Sequence, residues 1–337
     1  MAIPPQTPRN RRTKSARTER RLHATLCKQT GPGVAPGVQK GRAMLVQSTL
    51  ARPVRISGIG LHSGRHVHVV LRPAGANHGI VFWRTDVDAF VPAIAEAAGR
   101  FDHATSLGER GRDVSTVEHL LSAAVGAGLD NLLVEVDGPE VPILDGSALP
   151  WLEAFYKAGV APLAALRAPF TPSRVLSLTA AGGKKLEIRP ARDLRVTYTI
   201  DFPNPAVGRQ SLTVMLSPET YATHVAPART FGFLSEYELL KQHGLARGAS
   251  PENCIVVGED RVENGDLRFP DEFVRHKVLD LLGDLALVGR PVTGHVVAHK
   301  AGHAMHASLA ALLREEVLAA SHASGRAPAA AARHVNG

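Results

Sequence analysis

The chain has 337 residues, 44% of them apolar and 21% charged, the proportions of a folded globular protein and not of a fibrous or disordered one. Its net charge of +8 sits in residues 1–43, where ten Lys/Arg face Glu19 alone, so the body, with 29 basic and 30 acidic residues, has no excess charge with which to attract a phosphate backbone. Two cysteines, Cys27 and Cys254, rule out a disulfide framework and fit a reducing compartment, and no apolar run is long enough for a membrane span or an export signal.

Residues 1–47 are rich in Arg, Pro, Gly, Thr and Gln without periodicity, and read as a disordered basic tail. Three origins stand for it: a transit peptide, a basic arm, or an upstream extension with Met44 as the true start. A transit peptide would make the protein mitochondrial; otherwise the cytoplasm is expected. Residues 48–160 read as a first α+β domain. Val54 and Ile56 begin a strand, Gly58–Gly64 is turn-rich, and His66–Leu71 alternates as a half-buried strand does. Ser115–Ala127 changes to helical spacing with Thr116 as its expected cap, Asn131–Val136 is a strand, and Pro150–Ala158 is a short helix.

Residues 161–173 contain prolines and no periodicity, and read as a linker. Residues 174–318 read as a second α+β domain, with strands over 175–178, 185–189, 196–200 and 255–257, a helix over 236–243 and a long helix from Asp271 to Val288. Residues 319–337 read as a second disordered tail. Leu71-Arg-Pro-Ala74 and Ile188-Arg-Pro-Ala191 each close an expected strand, and with the common element order they suggest an internal duplication.

The second long helix carries His276, Asp280 and Asp284 at spacings of four, which places them on one face of an otherwise leucine-rich helix. A carboxylate there must be paired or metal-bound; a His–Asp hydrogen bond without metal is the alternative. The first long helix carries Glu118-His119, alone no more than a surface pair. Catalytic zinc typically takes three protein ligands with a carboxylate base nearby, and His119, His276, Asp280 and Glu118 would supply that set. Between His299 and His306, Gly302 suggests a turn that points His303 into a cleft, with His299 and His306 facing solvent.

These residues lie within a longer series: Gly58-Ile-Gly-Leu-His-Ser-Gly64, Arg84-Thr-Asp86, Ser115-Thr-Val-Glu-His-Leu120, Pro142-Ile-Leu-Asp-Gly-Ser147, Ala228-Arg-Thr-Phe-Gly-Phe233, Asp271 to Asp280, and Lys300-Ala-Gly-His303. With this series the chain resembles the UDP-3-O-acyl-N-acetylglucosamine deacetylases, zinc amidases of lipid A biosynthesis, over residues 47 to 313. The resemblance implies an α+β fold of two similar domains, a two-layer sandwich made by duplication, with the active site between them. It implies His119, His276 and Asp280 as zinc ligands, Glu118 as general base and His303 as the acid, oriented by Asp284. Thr230 is implied in oxyanion stabilisation, and Phe231 and Lys277 in contact with a UDP-linked acylated glucosamine substrate. A monomer is expected, with contact with a membrane surface through the acyl group at most, and the charge split leaves no nucleic-acid partner expected. Phe101–Leu107 departs from the family's Asp-Thr-x-Leu-x-Thr segment and reads as two residues shorter. That departure keeps one rival open, a zinc amidase on a different acylated amino sugar; residues 9–21 raise another, a nucleic-acid or anionic-surface binder, against which the charge split argues.

Overall fold

The computed structural model describes residues 46–101 and 103–323, so the expectations for residues 1–45 and for the last fourteen residues lie outside the described residues, while Val46 and Gln47, expected in the tail, open the first strand. The first half runs β1 (Val46–Leu50), β2 (Val54–Ile59), β3 (His66–Pro73), β4 (Ile80–Arg84), β5 (Ala89–Pro92), β6 (Ala98–Arg100), β7 (Ser106–Leu107), β8 (Val114–Ser115), α1 (Glu118–Ala127), β9 (Leu132–Val136), α2 (Leu149–Ala158) and β10 (Val160–Leu166). The second runs β11 (Leu176–Ala180), β12 (Lys184–Arg189), β13 (Leu194–Asp201), β14 (Arg209–Met215), α3 (Pro218–His224), β15 (Phe231–Phe233), α4 (Leu234–Gln242), β16 (Ile255–Val257), α5 (Glu272–Leu285), β17 (Gly294–His299) and α6 (His303–Ala323).

The halves share one sheet topology. The first sheet has the order β2-β3-β9-β4-β5 and the second β11-β12-β17-β13-β14. In each, the last strand enters between the second and third, antiparallel to one and parallel to the other. The four-residue echo falls at equivalent places: Leu71 pairs with Val134 and Ile188 with Val296, the inserted strand in both cases. Each half also carries a small insert between its fourth strand and its long helix, the β6–β8 sheet in one and the parallel β15–β16 pair with α4 in the other. The fold is therefore α+β and duplicated, with the described residues in one compact unit.

Alternation explains the sheets. In β3, Val67, Val69 and Leu71 are buried while His66 and His68 are exposed, so one face packs inward and the other meets solvent. The inward face is covered by helices. Twelve of the fourteen residues of α5 are buried, which a helix on a free surface could not achieve, and α5 packs against both α1 and α6. The α1–α5 contact is the seam between the halves. Among the described residues no helix is long and apolar enough to cross a membrane.

Several local expectations are corrected. Residues 161–166 of the expected linker belong to β10, which pairs antiparallel with β1, Thr49 opposite Ala161. Pro162 is tolerated because this ribbon has only two strands and its outer edge needs no donor. Helix α6 continues through Ala323, past the point where a tail was expected. Thr116 does not cap α1: its backbone is left-handed, with φ of 58°, and its hydroxyl donates to Glu140 Oε1 at 2.8 Å. Strands β4 and β5, absent from the sequence reading, complete the first sheet.

Candidate metal and catalytic site

Helix α1 opens with Glu118 and His119 at a place set by Glu140. This buried carboxylate accepts from the Thr116 hydroxyl and from the backbone N–H groups of His62 and Ser63, at 2.8, 2.9 and 2.7 Å. It thereby ties the glycine-rich 58–64 loop to the start of α1. Gly60 has no room for a side chain there, since a Cβ would overlap the Glu140 carboxylate.

Across the seam, α5 presents His276, Asp280 and Asp284, each one turn from the next and all buried. His276 Nε2 lies 3.3 Å and His119 Nε2 3.8 Å from Asp280 Oδ1, with the two imidazole planes nearly perpendicular. The donor atoms of the three residues all fall within 4.8 Å of one another. The chemistry of the donors fits one divalent metal ion. His276 Nδ1 donates to the Ala228 carbonyl at 3.1 Å, leaving Nε2 as the lone-pair donor. Burial pushes His119 down to about 3 and also lowers His276, which favours the neutral ring in both. Burial alone would raise Asp280, but His276, Lys277 and His303 hold it well below the usual carboxylate range. Neutral imidazoles and an ionised carboxylate are the forms that ligate metal.

Two further groups border this set. Glu118 is 3% exposed, accepts from the Thr105 N–H at 3.1 Å, and is pushed up to about 8 by burial and the nearby Asp284 and Asp280, against the opposing His303. His303, the first residue of α6, points Nε2 to within 3.8 Å of Asp280 Oδ2 and donates from Nδ1 to Asp284 Oδ2 at 2.8 Å. Burial opposes its protonation, but Asp284, with Asp280 and Glu118, outweighs burial and raises it to about 9. Thr105 joins the two groups, since its hydroxyl donates to Asp284 Oδ1 at 2.6 Å and lies 3.2 Å from His303 Nδ1.

The sequence missed two members of this constellation. His306 is fully buried, not solvent-facing, and its Nδ1 lies 2.9 Å from the same Asp284 oxygen that His303 uses. Its i,i+3 relation to His303 on one helix was the available signal. Thr105 gave none, because its partners lie 13 and 179 residues away. His299 lies half-buried at the end of β17.

The set sits in a cavity of about 980 Å³ that Thr230, Phe231 and Lys277 also line. Lys277 Nζ donates to Asp280 Oδ2 at 2.8 Å and stands 5.6 Å from the Phe231 ring centre. Lys184 and Lys300 add cations to the wall, and Phe202, Phe233 and Leu240 form an apolar stretch. His62 reaches the cavity with its buried Nε2 unpartnered among the described residues.

A His–His–Asp donor set able to hold a metal ion at the seam of a duplicated α+β fold, with a buried carboxylate and an Asp-backed histidine beside it, is the equipment of a metal-dependent hydrolase. Residues 47–315 match the family model of the UDP-3-O-acyl N-acetylglycosamine deacetylases, and the chain belongs to that family. It is 48% identical to the UDP-3-O-acyl-N-acetylglucosamine deacetylase of Myxococcus xanthus over 271 residues, covering 78% of this chain and 84% of that one. The enzymes of the same name from Syntrophotalea carbinolica and Solibacter usitatus are 45% and 46% identical, covering 77% and 80% of this chain and 85% and 91% of their own.

Proposed function

We propose that the protein hydrolyses the N-acetyl group of UDP-3-O-acyl-N-acetylglucosamine, releasing acetate, with zinc as its metal, in lipid A biosynthesis. The observation that supports this best is the convergence of Glu118 and His303, one from each half, on the donor set of His119, His276 and Asp280. Zinc held by those three residues supplies Lewis acidity toward the acetyl carbonyl and acidifies water.

An amide is a weak electrophile with a poor leaving group, so its hydrolysis needs a base, an acid and oxyanion stabilisation. Glu118 takes the proton of the attacking water; with a divalent cation beside it, its carboxylate is the stable form. His303, kept protonated by Asp284, delivers a proton to the departing amine nitrogen. Thr230 lines the cavity, and its hydroxyl is the group that would donate to the developing oxyanion. Lys277, Lys300 and Lys184 suit a diphosphate, Phe231 suits the face of a sugar, and the apolar stretch suits an acyl chain. We place this action in the cytoplasm, in keeping with the two cysteines and a nucleotide-linked substrate.

Purified full-length protein is expected to release acetate from UDP-3-O-acyl-N-acetylglucosamine in step with appearance of the free amine. Metal-loaded protein that releases none, yet deacetylates another acylated amino sugar, would shift the reading to an amidase of different substrate.

A further inference from the structure

We infer that His306 is a positioning residue for the proton donor, acting through Asp284; the inference rests on the reading of His303 as the acid. Asp284 is fully buried, and three side chains converge on its carboxylate: the Thr105 hydroxyl on Oδ1, and the Nδ1 atoms of both His303 and His306 on Oδ2. His303 alone among the three borders the metal donor set, at 3.8 Å from Asp280. His306 is fully enclosed, and its ring stands at 74° to that of His303, so the two approach one oxygen from different directions.

Behind His306 stands Tyr198 of β13, also fully buried. Its hydroxyl lies 3.0 Å from His306 Nε2 and 2.8 Å from the Ala301 carbonyl, in the turn that leads into His303. The imidazole of His306 is thus pinned at both nitrogens, and it pins Asp284 in turn. A carboxylate held by His303 and Thr105 alone could rotate about χ2 and carry the His303 ring with it. A third donor, placed on the oxygen that His303 uses, removes that freedom. Misplacement of an acid by a fraction of an ångström lowers turnover while leaving substrate binding untouched.

The test separates the two ring nitrogens. Asn places its amide nitrogen near the position of Nδ1 and Gln near that of Nε2, so His306→Asn keeps a donor to Asp284 and His306→Gln keeps only a polar contact with Tyr198. Both are polar replacements for a residue on a packed helix. His306→Gln is expected to lose roughly 10- to 100-fold in kcat, with KM and bound metal unchanged, and His306→Asn to stay within about threefold of the parent. Equal losses in the two variants, or a His306→Gln enzyme with parental kcat, would overturn the assignment. So would loss of a second metal equivalent from either variant, which would make Asp284, His303 and His306 a metal site. A parent protein that does not release acetate at all would instead overturn the proposed function, so the two failures are distinct. Independently of activity, nitrogen NMR of the resting full-length protein should show His306 Nδ1 protonated and hydrogen-bonded; an unprotonated Nδ1 would also overturn it.

Discussion

Gly283 of α5 lies directly against the main chain of Glu118 in α1: a Cβ added at Gly283 would stand 2.9 Å from the Glu118 Cα, and closer still to its carbonyl oxygen. Main chain cannot swing aside as a side chain can, so this glycine sets how near the two helices approach. Their approach brings His119 within reach of His276 and Asp280, and the metal donor set therefore depends on a residue that ligates nothing.

Gly283→Ala should force α1 and α5 apart. Overpacking of this kind costs about 1–3 kcal/mol of stability, and a shift near 1 Å at the centre lowers turnover by roughly 10²-fold. Denaturant unfolding together with metal content and acetate release measures both; parental turnover in Gly283→Ala would show that the helix spacing is not limiting.

Ligand and base substitutions should separate cleanly. His119→Ala and Asp280→Ala are expected to lose metal and activity together. Glu118→Ala should keep the metal and lose rate on the order of 10²–10⁴-fold, the usual worth of a general base. Metal analysis beside turnover decides it, and near-parental turnover in Glu118→Ala would sink its role as base.

The alkaline limit of turnover should belong to His303. Its folded value is raised above that of an exposed imidazole, so its acid form is full at low pH and is lost as pH rises through about 9. A metal cation near Asp280 moves that limit down somewhat without changing its cause. Asp284→Asn removes the strongest of the groups that raise His303 and leaves burial to oppose Asp280 and Glu118 alone, so the limit should move toward acid and turnover at pH 8 should fall. A limb that stays in place in Asp284→Asn would assign it to another group.

Glu272, at the start of α5, is fully buried and accepts from Arg229 through its backbone N–H, Nε and Nη2, and from the Arg268 N–H. Arg229 adjoins Thr230. Glu272→Gln would leave a largely buried guanidinium without its counter-charge, at about 3–5 kcal/mol, and should loosen Thr230 enough to lower kcat. Urea unfolding of the metal-loaded protein measures the first effect and steady-state kinetics the second; a loss under 1 kcal/mol would place the pair among those with little net worth.

Most of the fold was legible where one residue pattern decided one element. The alternation of His66 to Leu71 marked β3, and the leucines around His276 marked α5 as a core helix. β10 was not legible, because Pro162 and the neighbouring prolines read as breakers while the ribbon edge makes them harmless. Thr116 looked like a cap by type, but a left-handed backbone turned its hydroxyl to Glu140 instead. At the site, residues with helical spacing were readable, since His276, Asp280 and Asp284 share a face. Thr105 and Tyr198 were not, since each matters only through atoms brought from distant segments.

One ion shared across the seam is best tested by titrating zinc into metal-stripped full-length protein while acetate release is followed. Activity should be absent before addition, rise linearly and level off at one equivalent per chain, and stay absent throughout in His119→Ala and in Asp280→Ala. Acetate release by the stripped parent at the full rate, or full recovery in either variant, would remove the metal from the reaction or from these residues.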